Sequence, residues 1–272
     1  MITSLQDILV VVDMDNTLLT AEKGIPLRNI EAVRKFTGLG GRFTIASGRT
    51  SESVGRYLHQ IQLSAPAITY NGGVIYDFEN QHRITSTVLP KAAAAAALTA
   101  IQKKFPGIGI EIMADNGYIY VIQANQYTYL HTVHEKLTYI VTQAQDVPGE
   151  WNKVLFACDH NTLLQIQAFS KKLHSPNMYF IATNTIYFEI IPKGVGKGAA
   201  LHSLCQYLQM PIENTVAIGD YYNDVDIMRE AGYSVAMGNA PDDVKAQADT
   251  VTGNCLDGGV ADVLEELIRK YS

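Results

Sequence analysis

The first apolar run of the chain, Ile8 to Val12, is unbroken and rich in β-branched residues. A half-exposed strand would alternate, so an unbroken run fits a strand covered on both faces of a parallel sheet. It ends on Asp13 and Asp15. A helical pattern follows from Pro26 to Thr37, then Gly40-Gly41, a strand from Arg42 to Ala46, a helix from Ser51 to Ile61 and a short strand from Ala67 to Tyr70. Strand alternating with helix at this spacing predicts a doubly wound α/β sheet.

From Gly72 to Leu89 the rhythm changes to two extended segments, Val74 to Phe78 and Arg83 to Val88, which read as a hairpin. A different unit then begins. Its expected elements are an alanine-rich helix Lys91 to Phe105, strands Ile108 to Met113 and Tyr118 to Gln123, and a helix Gln126 to Leu137. A strand Lys153 to Cys158, a helix Leu163 to Leu173 and strands Met178 to Ala182 and Ile186 to Ile191 complete it. That order predicts a self-contained α+β layer. The doubly wound rhythm returns with the helix Gly198 to Leu208, the strand Thr215 to Ile218 and the elements that follow to Tyr271. The expected organisation is a core of residues 1–87 and 190–272 with an inserted domain of residues 88–189.

Composition narrows the function classes. The 272 residues are 47% hydrophobic and 18% charged, within the globular range. The formal net charge of −6 argues against nucleic-acid binding driven by bulk charge, which calls for a basic stripe. Cys158, Cys205 and Cys255 form no CxxC, so neither a disulfide framework nor a cysteine zinc site is expected. The N-terminal apolar run is interrupted by Asp13 before it could serve as a signal sequence, and the alanine tract is far below the roughly 18 residues that span a bilayer. No membrane partner and a cytoplasmic location are expected.

Candidate chemistry gathers at strand ends, where ligands bind in open α/β sheets. Asp13 and Asp15 follow the first strand, and two carboxylates there are costly unless a cation or hydrogen bonds compensate them; a polar terminus with an Asx-type turn at Asp15 and Asn16 is the alternative. Asp220, Asn223 and Asp224 follow the strand Thr215 to Ile218, with Asp224 also placed to cap the next helix. Such acidic groups make a hard-oxygen site of the kind Mg²⁺ prefers. Ser47 and Gly48 follow another strand and precede a helix, where a hydroxyl and backbone N–H groups can receive an oxyanion. Lys197 opens a predicted helix, a place where a cation is unfavourable without an anion partner.

Together these segments resemble the haloacid dehalogenase superfamily of phosphohydrolases, and its Cof-like branch with a type IIB cap. The resemblance covers nearly the whole chain. DMDNTLL is similar to the family's first motif, Ser47 to the second, Lys197 to the third, and Asp220 with Asp224 to the fourth. Three departures stand out: Asn16 where most members have glycine, Ser47 where this branch often has threonine, and Tyr221 and Tyr222 where smaller residues are usual.

The resemblance implies a Rossmann-like core with an inserted α+β cap, and a Mg²⁺-dependent phosphatase acting on a small phosphorylated metabolite, expected to be a sugar phosphate. It implies Asp13 as nucleophile and Asp15 as general acid and base. Ser47, Gly48 and Lys197 would bind phosphate. Asp13, the Asp15 carbonyl, Asp220 and Asn223 or Asp224 would surround the metal. In the cap, the turn Thr183-Asn184-Thr185 makes Asn184 and Thr185 candidates for binding substrate. A phosphomutase with a related cap and a non-catalytic metal- and phosphate-binding module are the alternatives.

Overall fold

The computed structural model describes residues 2–20, 24–134, 137–173, 175–183 and 185–272. The chain forms two compact units: Met1–Arg49, Val54–Thr85 and Gly196–Ser272 make the first, and Thr50–Ser53 with Ser86–Val195 the second. Its strands are β1 (Leu9–Val12), β2 (Arg42–Ile45), β3 (Ala67–Thr69), β4 (Val74–Asp77), β5 (His82–Ser86), β6 (Gly109–Ala114), β7 (Ile119–Gln123), β8 (Tyr139–Val141), β9 (Trp151–Ala157), β10 (Met178–Ala182), β11 (Tyr187–Pro192), β12 (Thr215–Gly219), β13 (Tyr233–Ala236) and β14 (Thr250–Val251).

The first unit is built on a five-stranded parallel sheet in the order β14-β13-β12-β1-β2. The β1 run has no polar position because both of its faces are covered. Val10 and Val12 join a core with Phe36 and Leu264 from the helices Leu27–Gly38 and Gly259–Tyr271. Leu9 and Val11 join another with Leu201, Leu204 and Met228 from the helices Lys197–Leu208 and Val225–Glu230. Each such side chain contributes about 1.5–3 kcal/mol on burial. The expected hairpin of β4 and β5 belongs to a three-stranded sheet in the order β3-β4-β5.

The second unit holds a six-stranded sheet in the order β10-β11-β9-β6-β7-β8. All its pairings are antiparallel except that of β7 with β8. The alanine-rich helix Lys91–Lys104 lays Ala94, Ala97, Leu98 and Ile101 on one sheet face, so its small side chains form a close-packing surface. The helix expected to reach Leu137 is instead an α-turn at Gln126–Tyr129, capped by Asn125, followed by a wider π-turn at Leu130–His134. Strand β8 was not anticipated. All three of its residues are exposed, so it lacks the alternation that marks a half-buried strand. The helix expected over Ser51 to Ile61 ends at Gly55. That expected from Leu163 begins at His160, because Asp159 accepts the Thr162 amide and caps it.

Candidate active site

The order β12-β1-β2 sets three strand ends side by side. Asp13 follows β1, Asp220 follows β12, and Ser47 lies just past β2, so residues far apart in sequence share one edge of the sheet. The Asp13 amide donates to the Ile218 carbonyl at 2.9 Å, extending the β1–β12 ladder into the site.

Lys197 is the first residue of its helix, and its ammonium joins two of these loops. Its Nζ donates to Asp13 Oδ1 at 2.6 Å and to Asp224 Oδ1. The anion partners expected for this cation are therefore carboxylates of the protein itself. Burial alone would pull the ammonium down, but the Asp13 and Asp224 charges outweigh it and hold Lys197 above its ordinary value.

Asp224 does not cap the helix Val225–Glu230, the alternative reading of this residue. Its Oδ2 instead reaches back and accepts the amides of Asp220 and Tyr221 at 3.0 and 3.1 Å, closing the loop on itself. Gly219 permits this approach, since a Cβ there would stand 2.4 Å from that of Asp224. Asp220 is held by Thr17 Oγ1, which donates to Oδ1 at 3.1 Å, and by Asn239 Nδ2 at 3.5 Å from Oδ2.

Asp13, Asp220 and Asp224 thus form one group, with oxygens within 4.8 Å of one another and all three residues buried. Burial, followed by the charge of Asp224, raises Asp13 well above the usual carboxylate range. The same two causes push Asp220 up to about 7. Fully ionised, the three carboxylates against one ammonium would carry two net negative charges, which a single divalent cation would balance. Hard oxygen donors and unrelieved like-charge crowding fit Mg²⁺.

Asp15 and Asn223 lie outside that group. The half-exposed Asp15 carboxylate is gripped by Arg49, with Nε at 2.9 Å from Oδ2 and Nη2 at 2.7 Å from Oδ1. Asn223 sits partly buried in the short turn Tyr222–Asp224. Ser47 is buried, and its Oγ accepts the Arg49 amide at 3.2 Å. The Asn71 side chain packs close over Gly48, where a Cβ would lie 2.8 Å from Asn71 Oδ1. In the second unit Thr185 is exposed, and Asn184 lies outside the described residues.

Several supporting residues were not found by sequence reasoning: Thr17, Asn71, Asp226 and Asn239. Asp226 Oδ2 accepts the Gly198 amide at 3.0 Å and so satisfies the N-terminus of the helix that carries Lys197. Gly72, at φ +98°, lets its loop pass close beneath the same terminus, since a Cβ would lie 2.2 Å from the Gly196 carbonyl oxygen. The departure at Asn16 also has a reason. Its φ is 58°, and asparagine is among the few non-glycine residues that tolerate this region. Tyr222 directs its hydroxyl to Asp243 at 3.0 Å.

A doubly wound core with paired carboxylates at a strand end, a bridging lysine and an inserted α+β unit defines a class of hydrolases. The haloacid dehalogenase-like hydrolase family matches residues 10–264, and the chain belongs to that family. It is 27% identical over 264 residues to pyridoxal phosphate phosphatase YbhA of Escherichia coli strain K12, covering 93% of this chain and 95% of that protein. A haloacid dehalogenase-like hydrolase from Bacteroides thetaiotaomicron superposes with a TM-score of 0.86 at 26% identity, over 96% of this chain and 99% of the other. The subclass IIB sugar phosphatase BT4131 shares the fold, with a TM-score of 0.81 at 21% identity over 95% and 98% of the two chains. The enzyme class expected from the sequence, a phosphoric monoester hydrolase, is supported by the family and by relatives named as phosphatases, YbhA among them. Among the described residues no helix is long and apolar enough to cross a membrane.

Proposed function

We propose that this protein is a Mg²⁺-dependent phosphatase for a small phosphorylated metabolite, a sugar phosphate, working through an aspartyl-phosphate on Asp13. The observation that carries this reading is the buried group of Asp13, Asp220 and Asp224 bridged by Lys197. Asp13 attacks phosphorus, and the bond to the ester oxygen breaks as Asp15 gives that oxygen a proton. In the second step Asp15 takes a proton from water. The resulting hydroxide attacks phosphorus, the bond to Asp13 breaks, and phosphate leaves.

Lys197 holds the Asp13 carboxylate in place in the resting protein and, with Ser47 and the Gly48 amide, stabilises the phosphoryl oxygens. Asp13, Asp220 and the Asp15 carbonyl would hold Mg²⁺, with Asp224 and Asn223 around them. When bound, the metal offsets the repulsion between nucleophile and phosphate. In the resting protein Arg49 grips both oxygens of the Asp15 carboxylate, and this pair must part for Asp15 to carry the proton it gives to the leaving oxygen. The second unit is read as the cap, residues 88–189, that selects the leaving group, and Asn184 and Thr185 remain candidates there.

Hydrolysis of p-nitrophenyl phosphate tests the reading. It is expected to need Mg²⁺, to stop on chelation and to return when metal is restored. Full activity in excess EDTA would overturn it.

A further inference from the structure

Within the first unit, the segment that follows β2 runs beside β3 and the turn after it. Ala46 bridges Ile68, and the Ser47 amide donates to the Ile68 carbonyl at 2.9 Å. Past that point the direction of donation reverses. The Tyr70 amide donates to the Arg49 carbonyl at 2.9 Å, and the Asn71 amide to the Ser47 carbonyl at 3.0 Å. Two successive amides thus face one loop, whereas an extended segment would send them to opposite sides.

The backbone of this turn is strained. Tyr70, Asn71 and Gly72 have φ of 54°, 56° and 98°, three positive values in succession. Glycine and asparagine tolerate this region, but a bulky aromatic such as the buried Tyr70 seldom enters it. Such a conformation persists only where its surroundings over-determine it. Here the two hydrogen bonds hold one end of the turn, and at the other end Gly72 lies against the Gly196 carbonyl and the Lys197 amide. One three-residue turn therefore touches both the Ser47–Arg49 loop and the start of the helix that carries Lys197. The Ser47 carbonyl also belongs to the same planar trans peptide as the Gly48 amide, and in such a unit C=O and N–H point in opposite directions. Fixing the carbonyl toward Asn71 fixes the Gly48 N–H away from it.

We propose that the turn Tyr70–Asn71–Gly72 is a positioning device for phosphoryl binding, in which Asn71, through its left-handed backbone, keeps the Gly48 amide aimed at the phosphoryl oxygens. This rests on the reading of Ser47, Gly48 and Lys197 as phosphate-binding residues. A residue confined to negative φ at position 71 cannot keep its amide on the Ser47 carbonyl while Gly72 stays against Gly196. The Ser47–Gly48 peptide is then free to turn, and a bound anion loses a donor.

Titration calorimetry of the full-length protein tests this, with Mg²⁺ alone and then with orthovanadate, an analogue of the transferred phosphoryl group, in the presence of Mg²⁺. Asn71→Val puts a β-branched residue at a positive φ. It is expected to weaken orthovanadate binding at least about tenfold, the size of one hydrogen bond to a charged acceptor. Mg²⁺ affinity is expected to stay within about twofold, because Asp13 and Asp220 follow β1 and β12. Asn71→Gly removes the same side chain but permits the positive φ, and is expected to recover most of the lost affinity. Asn71→Ala, a milder block that guards against a folding defect, is expected to fall between them, with circular dichroism unchanged. No orthovanadate binding by the wild-type protein, affinity unaffected by these substitutions, Asn71→Gly as weak as Asn71→Val, or a parallel loss of Mg²⁺ affinity would overturn the proposal. p-Nitrophenyl phosphate hydrolysis by the wild-type protein separates the two readings. Hydrolysis without dependence of orthovanadate binding on residue 71 removes only the positioning role, and that dependence without hydrolysis removes only the phosphatase reading.

Discussion

Replacing Lys197 by methionine, which is similar in length but uncharged, removes both buried ion pairs at once. The lysine and Asp224 side chains are each 1% exposed and that of Asp13 is 8% exposed, so solvent screens these pairs little. Without the ammonium, Asp13, Asp220 and Asp224 oppose one another within 4.8 Å. At that distance and an effective dielectric constant of about 20, each ionised pair repels by about 3.5 kcal/mol. The protein escapes part of this by protonating a carboxylate, so the expected loss is about 3–5 kcal/mol, the usual result of breaking a buried pair. The assay is urea unfolding followed by circular dichroism, in EDTA and in Mg²⁺, near pH 8 and pH 5. The deficit is expected to be largest in EDTA at the higher pH and to shrink on adding Mg²⁺ or lowering the pH, since either removes net negative charge. A deficit equal under all four conditions would mean that lost packing, and not charge, causes it. A deficit below about 1 kcal/mol throughout would refute the electrostatic reasoning.

Asp220 has a folded value of about 7 against an ordinary 3.8, so its ionisation opposes folding. Its contribution to the metal-free protein is most favourable below about pH 4 and declines as pH rises toward 7, so the rise in urea midpoint on adding Mg²⁺ should grow over that window; a pH-independent rise would contradict this. Asp15→Asn is expected to cost turnover of alkyl phosphates far more than that of p-nitrophenyl phosphate, whose leaving group needs little proton donation; equal losses measured by kcat would remove Asp15 as the acid. Gly72→Ala combines a φ of +98° with a collision against the Gly196 carbonyl, whereas Gly117→Ala, at φ +88°, meets nothing within 4 Å. Thermal unfolding should show about 1–2 kcal/mol lost at Gly117 and clearly more at Gly72, and equal losses would show that the close approach at Gly72 is not limiting.

What was legible in the sequence depended on whether burial left a pattern. The β1 run was readable because both faces are covered and no polar residue interrupts it. The edge strand β8 was not, since Tyr139, Ile140 and Val141 are all exposed. Asp13, Lys197, Asp220 and Asp224 were found because charge at a strand end or a helix start conflicts with the ordinary preferences of those positions. Their supports were invisible for the opposite reason. Thr17 and Asn239 are ordinary polar loop residues until folding brings each to Asp220, and Thr17 does so across 203 positions. Helix capping remained an alternative for Asp224 because a carboxylate before a helix looks the same whether it reaches forward to that helix or back to its own loop.

Covalent labelling tests the central claim most directly. The wild-type protein, mixed with a labelled phosphate ester and Mg²⁺ and quenched in acid during turnover, should carry the phosphoryl group on the peptide that contains Asp13. Asp13→Asn should carry none and turn over no substrate. Label on another residue, or steady turnover by Asp13→Asn, would contradict the assignment of Asp13 as nucleophile and with it the mechanism proposed for this enzyme.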